Sequence, residues 1–310
     1  VAAIALLAAA VVAAAAVLSA REVESDSAPA SQPQPRKGFP RLALSFGVRD
    51  DAEARELRRA AQLYEAGRHA QARRIFGRFD SLEAKLGAAF AGWPATADRV
   101  EQLGALYPRS SLIQLHVGIE RLWAGTGGED TAWREARDVE PDTPYAVLAD
   151  DLLHPQLAPG LPIFTPSFPY PLPSGTPAAQ LEALRGSRSE RGLLIYGIAL
   201  QRLGRPVSAR RAFAGALRLA PNDVDALVAD AVGRYEKSDP AGAFSRLGPL
   251  TRRFPKAATV RFHLGVLLLW QSDVPEAKRQ LRLARAAQPG SRIARDAERY
   301  LQELRKTGTG

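Results

Sequence analysis

The chain has 310 residues, 46% of them hydrophobic and 24% charged, enough for one or two folded domains with a sizeable core. It contains no cysteine, which excludes disulfides, thiolate metal sites and a cysteine nucleophile. The net charge of +9 is carried by 36 Arg and only 6 Lys, a bias that a GC-rich coding sequence produces without any phosphate to bind, and it is concentrated in residues 186–310, where 23 basic side chains face 11 acidic ones.

Residues 1–20 carry one polar side chain, Ser19, and no charge. At a rise of about 1.5 Å per residue they form a hydrophobic helix just long enough to cross a hydrocarbon core of roughly 30 Å. They are expected to be a retained single-pass anchor, with the body extracytoplasmic; if they are a cleaved signal the protein is secreted. Residues 21–48 are polar and rich in Ser and Pro and read as a flexible tether. From 49 to 154 a helical period takes over. Asp50 or Asp51 caps a helix running to about Ala66, Gly67 breaks it, and a second helix covers about Ala70 to Phe79. A further pair spans about 82–107. Leu115-His116-Val117-Gly118, with Trp123 five residues on, then matches Phe262-His263-Leu264-Gly265, with Trp270 five residues on. A helix from about Pro144 to Leu153 closes this region.

Residues 155–177 break the pattern, with eight prolines and, between them, Phe164, Phe168 and Tyr170. Proline at that density excludes helix and central strand. The segment is too apolar for an inert spacer, so it is expected to lie back against the helical array as an internal ligand anchored by its three aromatics; an exposed partner motif and a plain linker are the alternatives. Residues 178–290 then repeat at an interval of 34. Pro221, Pro255 and Pro289 keep that spacing, as do Ala209, Ala243 and Ala277, and the large apolar residues Phe213, Leu247 and Leu281. A capping helix over 291–305 and a polar tail, 306–310, complete the chain.

These columns resemble the tetratricopeptide repeat (TPR), a helix-turn-helix unit with small residues where its helices meet and a proline after the second. In the copy from Glu190, Gly197 falls at the close-contact position, Ala209 lets the helices approach, Phe213 fills the gap and Pro221 ends the second helix. Gly265 takes the same glycine position in the copy from Ala258. The resemblance, in its membrane-anchored bacterial form, implies an all-α fold: a right-handed superhelical array of antiparallel helix pairs, a TPR-like solenoid behind the hydrophobic amino-terminal helix. It also implies a concave face lined by the first helix of each pair. The family's lining positions fall here on Leu194, Ile198 and Gln201, on Val228, Val232 and Tyr235, and on Phe262, Val266 and Leu269. That lining is mostly apolar and lacks the Lys and Asn of relatives that clamp an acidic carboxyl terminus. A partner would be an apolar or extended protein segment.

No GxSxG elbow, P-loop, GxGxxG or HExxH occurs. His116 and His263 stand at equivalent repeat positions without a second ligand at metal spacing, so they read as structural, and neither a metal nor a cofactor is expected. Arg205, Arg210, Arg211 and Arg218, and Arg279, Arg282 and Arg285, lie on or next to second helices. With a membrane segment ahead of them, anionic lipid fits this basic surface better than nucleic acid, for which no recognised module is present. The function that follows is a non-catalytic, membrane-tethered scaffold or assembly factor for proteins. The alternatives are a fixed structural subunit of an envelope complex and, less well supported, an envelope enzyme.

Overall fold

The computed structural model describes residues 34–171 and 173–306. Among these, fifteen α-helices form and no strand does. The chain divides into two compact units at Leu153/His154. The hydrophobic stretch 1–20 lies outside the described residues, and no helix among the described residues is long and apolar enough to cross a membrane.

The first unit begins with an extended segment, 36–49, followed by α1 (Ala52–Glu65), α2 (His69–Phe76), α3 (Leu82–Phe90), α4 (Ala97–Leu106), α5 (Ser111–Ala124), α6 (Glu129–Val139) and α7 (Pro144–Leu153). The second begins with an extended segment, 158–171, followed by α8 (Pro177–Arg185), α9 (Glu190–Arg202), α10 (Pro206–Leu219), α11 (Val224–Val232), α12 (Ala241–Arg253), α13 (Ala258–Trp270), α14 (Val274–Ala287) and α15 (Arg292–Lys306). Apart from α8, the two units have the same plan: an extended segment, three helix pairs and a closing helix. The first pair of the first unit answers to α9 and α10, and α7 answers to α15.

Local chemistry sets the helix starts. The carboxylates of Asp51 and Asp223 and the hydroxyls of Ser81, Thr176 and Ser189 each accept an orphan N–H of the following turn. Within each pair a small residue permits close approach. A Cβ on Gly197 would stand 2.3 Å from the Phe213 ring, and one on Gly265 would stand 2.9 Å from Leu281. In the first unit Gly118 is pressed in the same way against Trp133, at 2.3 Å. Ala209, Phe213, Ala243, Leu247, Ala277 and Leu281 are fully buried at these seams. Pro221, Pro255 and Pro289 each follow the end of a second helix.

First helices touch the next first helix along each unit: α1 meets α3, α3 meets α5, α9 meets α11 and α11 meets α13. Second helices of successive pairs make no such contact among the described residues. First helices therefore line the tight inner face and second helices the splayed outer one.

The sequence reading of 21–48 as a flexible tether needs correction over its second half. Pro40, Leu42 and Phe46 are buried in the first unit, because they stand an even number of residues apart and an extended chain presents such positions to one side.

Candidate protein-binding grooves

Each unit's extended segment, termed here its strap, runs along the inner face. It passes from the carboxyl-terminal ends of the first helices towards their amino-terminal ends. Every other strap residue is buried: Pro40 and Leu42 in the first unit, and Pro162, Phe164 and Pro166 in the second. An extended chain presents alternate side chains to the helices at this period of two. It also exposes its backbone N–H and C=O groups, and the helices have to satisfy those.

In the second unit the side chains of Gln201, His263, Asp225, Trp270 and Arg292 do so, Arg292 donating to the Phe168 carbonyl at 3.3 Å. Gln201, near the end of α9, acts as a strand edge: its amide oxygen accepts the Phe164 N–H at 2.9 Å and its amide nitrogen donates to the Pro162 carbonyl at 3.1 Å. His263, in the middle of α13, accepts the Thr165 N–H through Nε2 at 2.9 Å. Its Nδ1 lies 2.7 Å from the Thr259 carbonyl, one turn back. An amide N–H can only donate, so Nε2 carries the lone pair and Nδ1 carries the proton; the ring is neutral. Burial holds its pKa at about 4 in spite of that carbonyl. The Asp225 carboxylate, in the first turn of α11, accepts both the N–H of Ser167, at 3.2 Å, and its hydroxyl, at 2.5 Å. Burial pushes this carboxyl above its usual range, against the pull of those two donors. Trp270 donates its indole N–H to the Gly160 carbonyl at 3.1 Å.

The aromatics expected to be anchors occupy three different settings. Phe164 is fully buried, stacked on the His263 ring at 5.1 Å and edge-on to Phe213 at 5.7 Å. Phe168 lies under the Arg191 guanidinium at 4.8 Å. Tyr170 lies under Arg292 at 4.8 Å and accepts a hydrogen bond from Arg202. Burying Phe164 alone is worth about 1.5–3 kcal/mol.

The first unit repeats this chemistry. His116, on α5, accepts the Ala43 N–H through Nε2 at 3.0 Å and faces the Leu112 carbonyl with Nδ1 at 2.7 Å, and burial holds it too at about 4. Tyr64 donates its hydroxyl to the Pro40 carbonyl. Tyr64 stands three residues before Gly67, as Gln201 stands three before Gly204, so the same helix position reads the same strap carbonyl in both units. Tyr145, on α7, exchanges hydrogen bonds with the N–H and C=O of Ser45, both at 3.1 Å. The Arg58 guanidinium covers the Phe46 ring at 5.6 Å.

The nine lining residues divide in two. Leu194, Ile198, Val228, Val232 and Tyr235 belong to the buried cluster that includes Phe164, and Gln201 grips the strap. Phe262, Val266 and Leu269 do not line the groove. They pack with residues of α14 and α15 such as Leu281, Ile293 and Leu301, and the closing helix covers that side of α13. The groove residues of the second unit are covered by the chain's own residues, Phe164 among them. The side chains that meet the strap come one residue round the helix or near its ends: Arg191, Asp225, His263 and Trp270.

The sequence reading missed the first strap. A signal was available, because Gly38-x-Pro40-x-Leu42-x-x-Ser45-Phe46 recurs 122 residues on as Gly160-x-Pro162-x-Phe164-x-x-Ser167-Phe168. Both glycines take positive φ, +85° and +69°, a conformation that L side chains rarely adopt. Of the second-helix arginines, Arg210, Arg279 and Arg285 are paired with Glu236, Glu276 and Glu298.

No family model matches the chain, and no curated protein is similar to it in sequence. Its distant resemblances among solved structures include the following three. A chain of the APC/C hetero-tetramer Cut9-Hcn1 is 14% identical over 79% of this chain, with a TM-score of 0.29. Yeast Tom70 is 10% identical over 87%, with a TM-score of 0.32. The C-terminal part of a TPR repeat-containing protein from Cytophaga hutchinsonii is 13% identical over 78%, with a TM-score of 0.25. This chain spans 55%, 67% and 98% of their lengths, respectively.

Proposed function

We propose that this chain is a non-catalytic scaffold that binds protein segments in an extended conformation. One observation carries the reading: in both units the inner helical face holds an extended peptide backbone through side chains that accept its N–H groups and donate to its carbonyls. Such a surface suits main-chain recognition, with pockets for alternate side chains supplying selectivity. The apolar stretch 1–20 would tether the scaffold to a membrane and place its body outside the cytoplasm. The second-helix arginines would favour anionic lipid near it.

A second reading, a fixed subunit of a larger assembly, draws support from a different feature. With the inner faces already filled, three of the four large exposed apolar side chains among the described residues, Leu106, Leu219 and Leu283, lie on second helices; the fourth, Phe39, is on the first strap. Photo-crosslinking in native membranes separates the two. With a photoreactive residue in place of Phe168 on the strap, and separately in place of Leu219 on the outer face, the scaffold reading expects one defined protein adduct from the strap position. A defined adduct from Leu219 alone supports the fixed subunit instead, and no defined adduct from either position sinks both.

A further inference from the structure

The two straps differ at most positions yet follow the same course, so what they share is what a groove reads. They share a glycine at positive φ, a proline two residues on whose carbonyl is hydrogen-bonded by the first pair's first helix, and a buried Leu or Phe two residues after that. The next residue gives its N–H to a buried histidine whether its side chain is that of Ala43 or Thr165. Ser45 and Ser167 follow, each hydrogen-bonded through its backbone, and then Phe46 and Phe168, each beneath an arginine of the first helix. Ala43 and Thr165 show that the histidine contact ignores side-chain identity. Gly, Pro, Ser and Phe are retained while their neighbours change from Arg41-x-x-Leu44 to Ile163-x-x-Pro166.

We propose that each groove is a binding site for the pattern Gly-x-Pro-x-(Leu/Phe)-x-x-Ser-Phe, and that the strap is a tethered occupant which a segment of this pattern, supplied in trans, replaces. This rests on the reading of the grooves as the protein-binding surface and adds the ligand. The occupant's tether matters for affinity. A short linker presents its segment at an effective concentration on the order of millimolar, so a free segment competes poorly until the resident strap is weakened. In the second unit α8 and its flanking turns separate the strap from α9, and these residues give the strap room to leave without unwinding a helix pair.

The test uses the full chain and a fluorescein-labelled peptide of residues 158–171, read by fluorescence anisotropy. Phe164→Ala weakens only the resident strap. The expected result is at least tenfold tighter peptide binding by this variant than by the unaltered chain, with unlabelled peptide 36–49 competing for the same site. Adding His263→Ala to the variant is expected to weaken binding about tenfold. If Phe164→Ala unfolds the chain by circular dichroism, Thr165→Pro takes its place, since it removes the N–H that His263 accepts. A folded strap variant that binds neither peptide overturns the proposal, as does tight binding that His263→Ala leaves unchanged. A strap-position crosslink to a partner lacking this pattern would preserve the scaffold reading while this proposal fell.

Discussion

The imidazole of His263 accepts the backbone N–H of Thr165 at 2.9 Å, and 147 residues earlier the imidazole of His116 does the same for Ala43 at 3.0 Å. A buried neutral histidine is thus the pin that holds each strap, and its protonation state decides whether it can accept at all. A cationic imidazole would turn a second N–H towards an N–H and lose the bond.

The pH dependence follows from this. Both folded-state pKa values are lowered by burial to about 4, against an ordinary value of 6.5. The unfolded chain therefore binds more protons between those two values, and stability falls as pH drops through that window. It is fully present above pH 6.5. The loss is on the order of 3 kcal/mol per histidine by pH 4. Urea unfolding of the chain and of a His116→Gln/His263→Gln double variant, from pH 7.5 to pH 4, is expected to show a difference that shrinks as the pH falls; a constant difference contradicts the assignment.

Removing one pin at neutral pH leaves the Thr165 N–H unsatisfied and opens a void beside Phe164. His263→Ala is expected to cost about 2–4 kcal/mol. Limited proteolysis should then cut first within 160–170, whereas cutting elsewhere in the second unit would show that the histidine supports the helices and not the strap.

Glu120 has the opposite sign. It is buried on α5 beside Glu101, and burial followed by that neighbouring charge raises its pKa to about 7 from 4.5. Its contribution is fully present below pH 4.5 and is lost as pH rises through 7. Glu120→Gln is expected to stabilise the chain at pH 8 by about 1 kcal/mol, a figure reduced because the neighbouring Glu101 and Arg121 are partly exposed and screened by solvent. At pH 5 little gain should appear, and calorimetry at the two pH values measures the contrast.

Glycine positions give a packing test with an internal control. Gly197→Ala drives a methyl into the Phe213 ring and is expected to cost about 1–3 kcal/mol, as overpacking does. Gly248→Ala, on α12, meets no atom within 4 Å and is expected to gain up to about 1 kcal/mol from helix propensity. Equal effects of the two substitutions on thermal unfolding would refute the close approach of α9 and α10.

The sequence by itself determined the helix pairs, because the pairing is written in residues that can be read locally. Gly197, Ala209, Phe213 and Pro221 are a small, a small, a large and a helix-ending residue at spacings only a helix-turn-helix satisfies. The equivalence of His116 and His263 was legible for the same reason, and so was the apolar character of residues 155–177. That residues 155–177 lie back on the array is an expectation from composition; tertiary structure alone decided which groups hold each strap. The side chains that hold the strap's backbone lie 37 to 124 residues away in the second unit and 24 to 100 in the first, and they bind backbone groups that every residue possesses. A contact made to an N–H leaves no mark on the side chain that carries it. Phe262 and Val266 were misplaced for a related reason: neighbouring residues on a helix point about 100° apart, and which of two adjacent residues faces the strap depends on what packs behind α13. Here the closing helix, α15, takes Phe262, and His263 is left facing the strap.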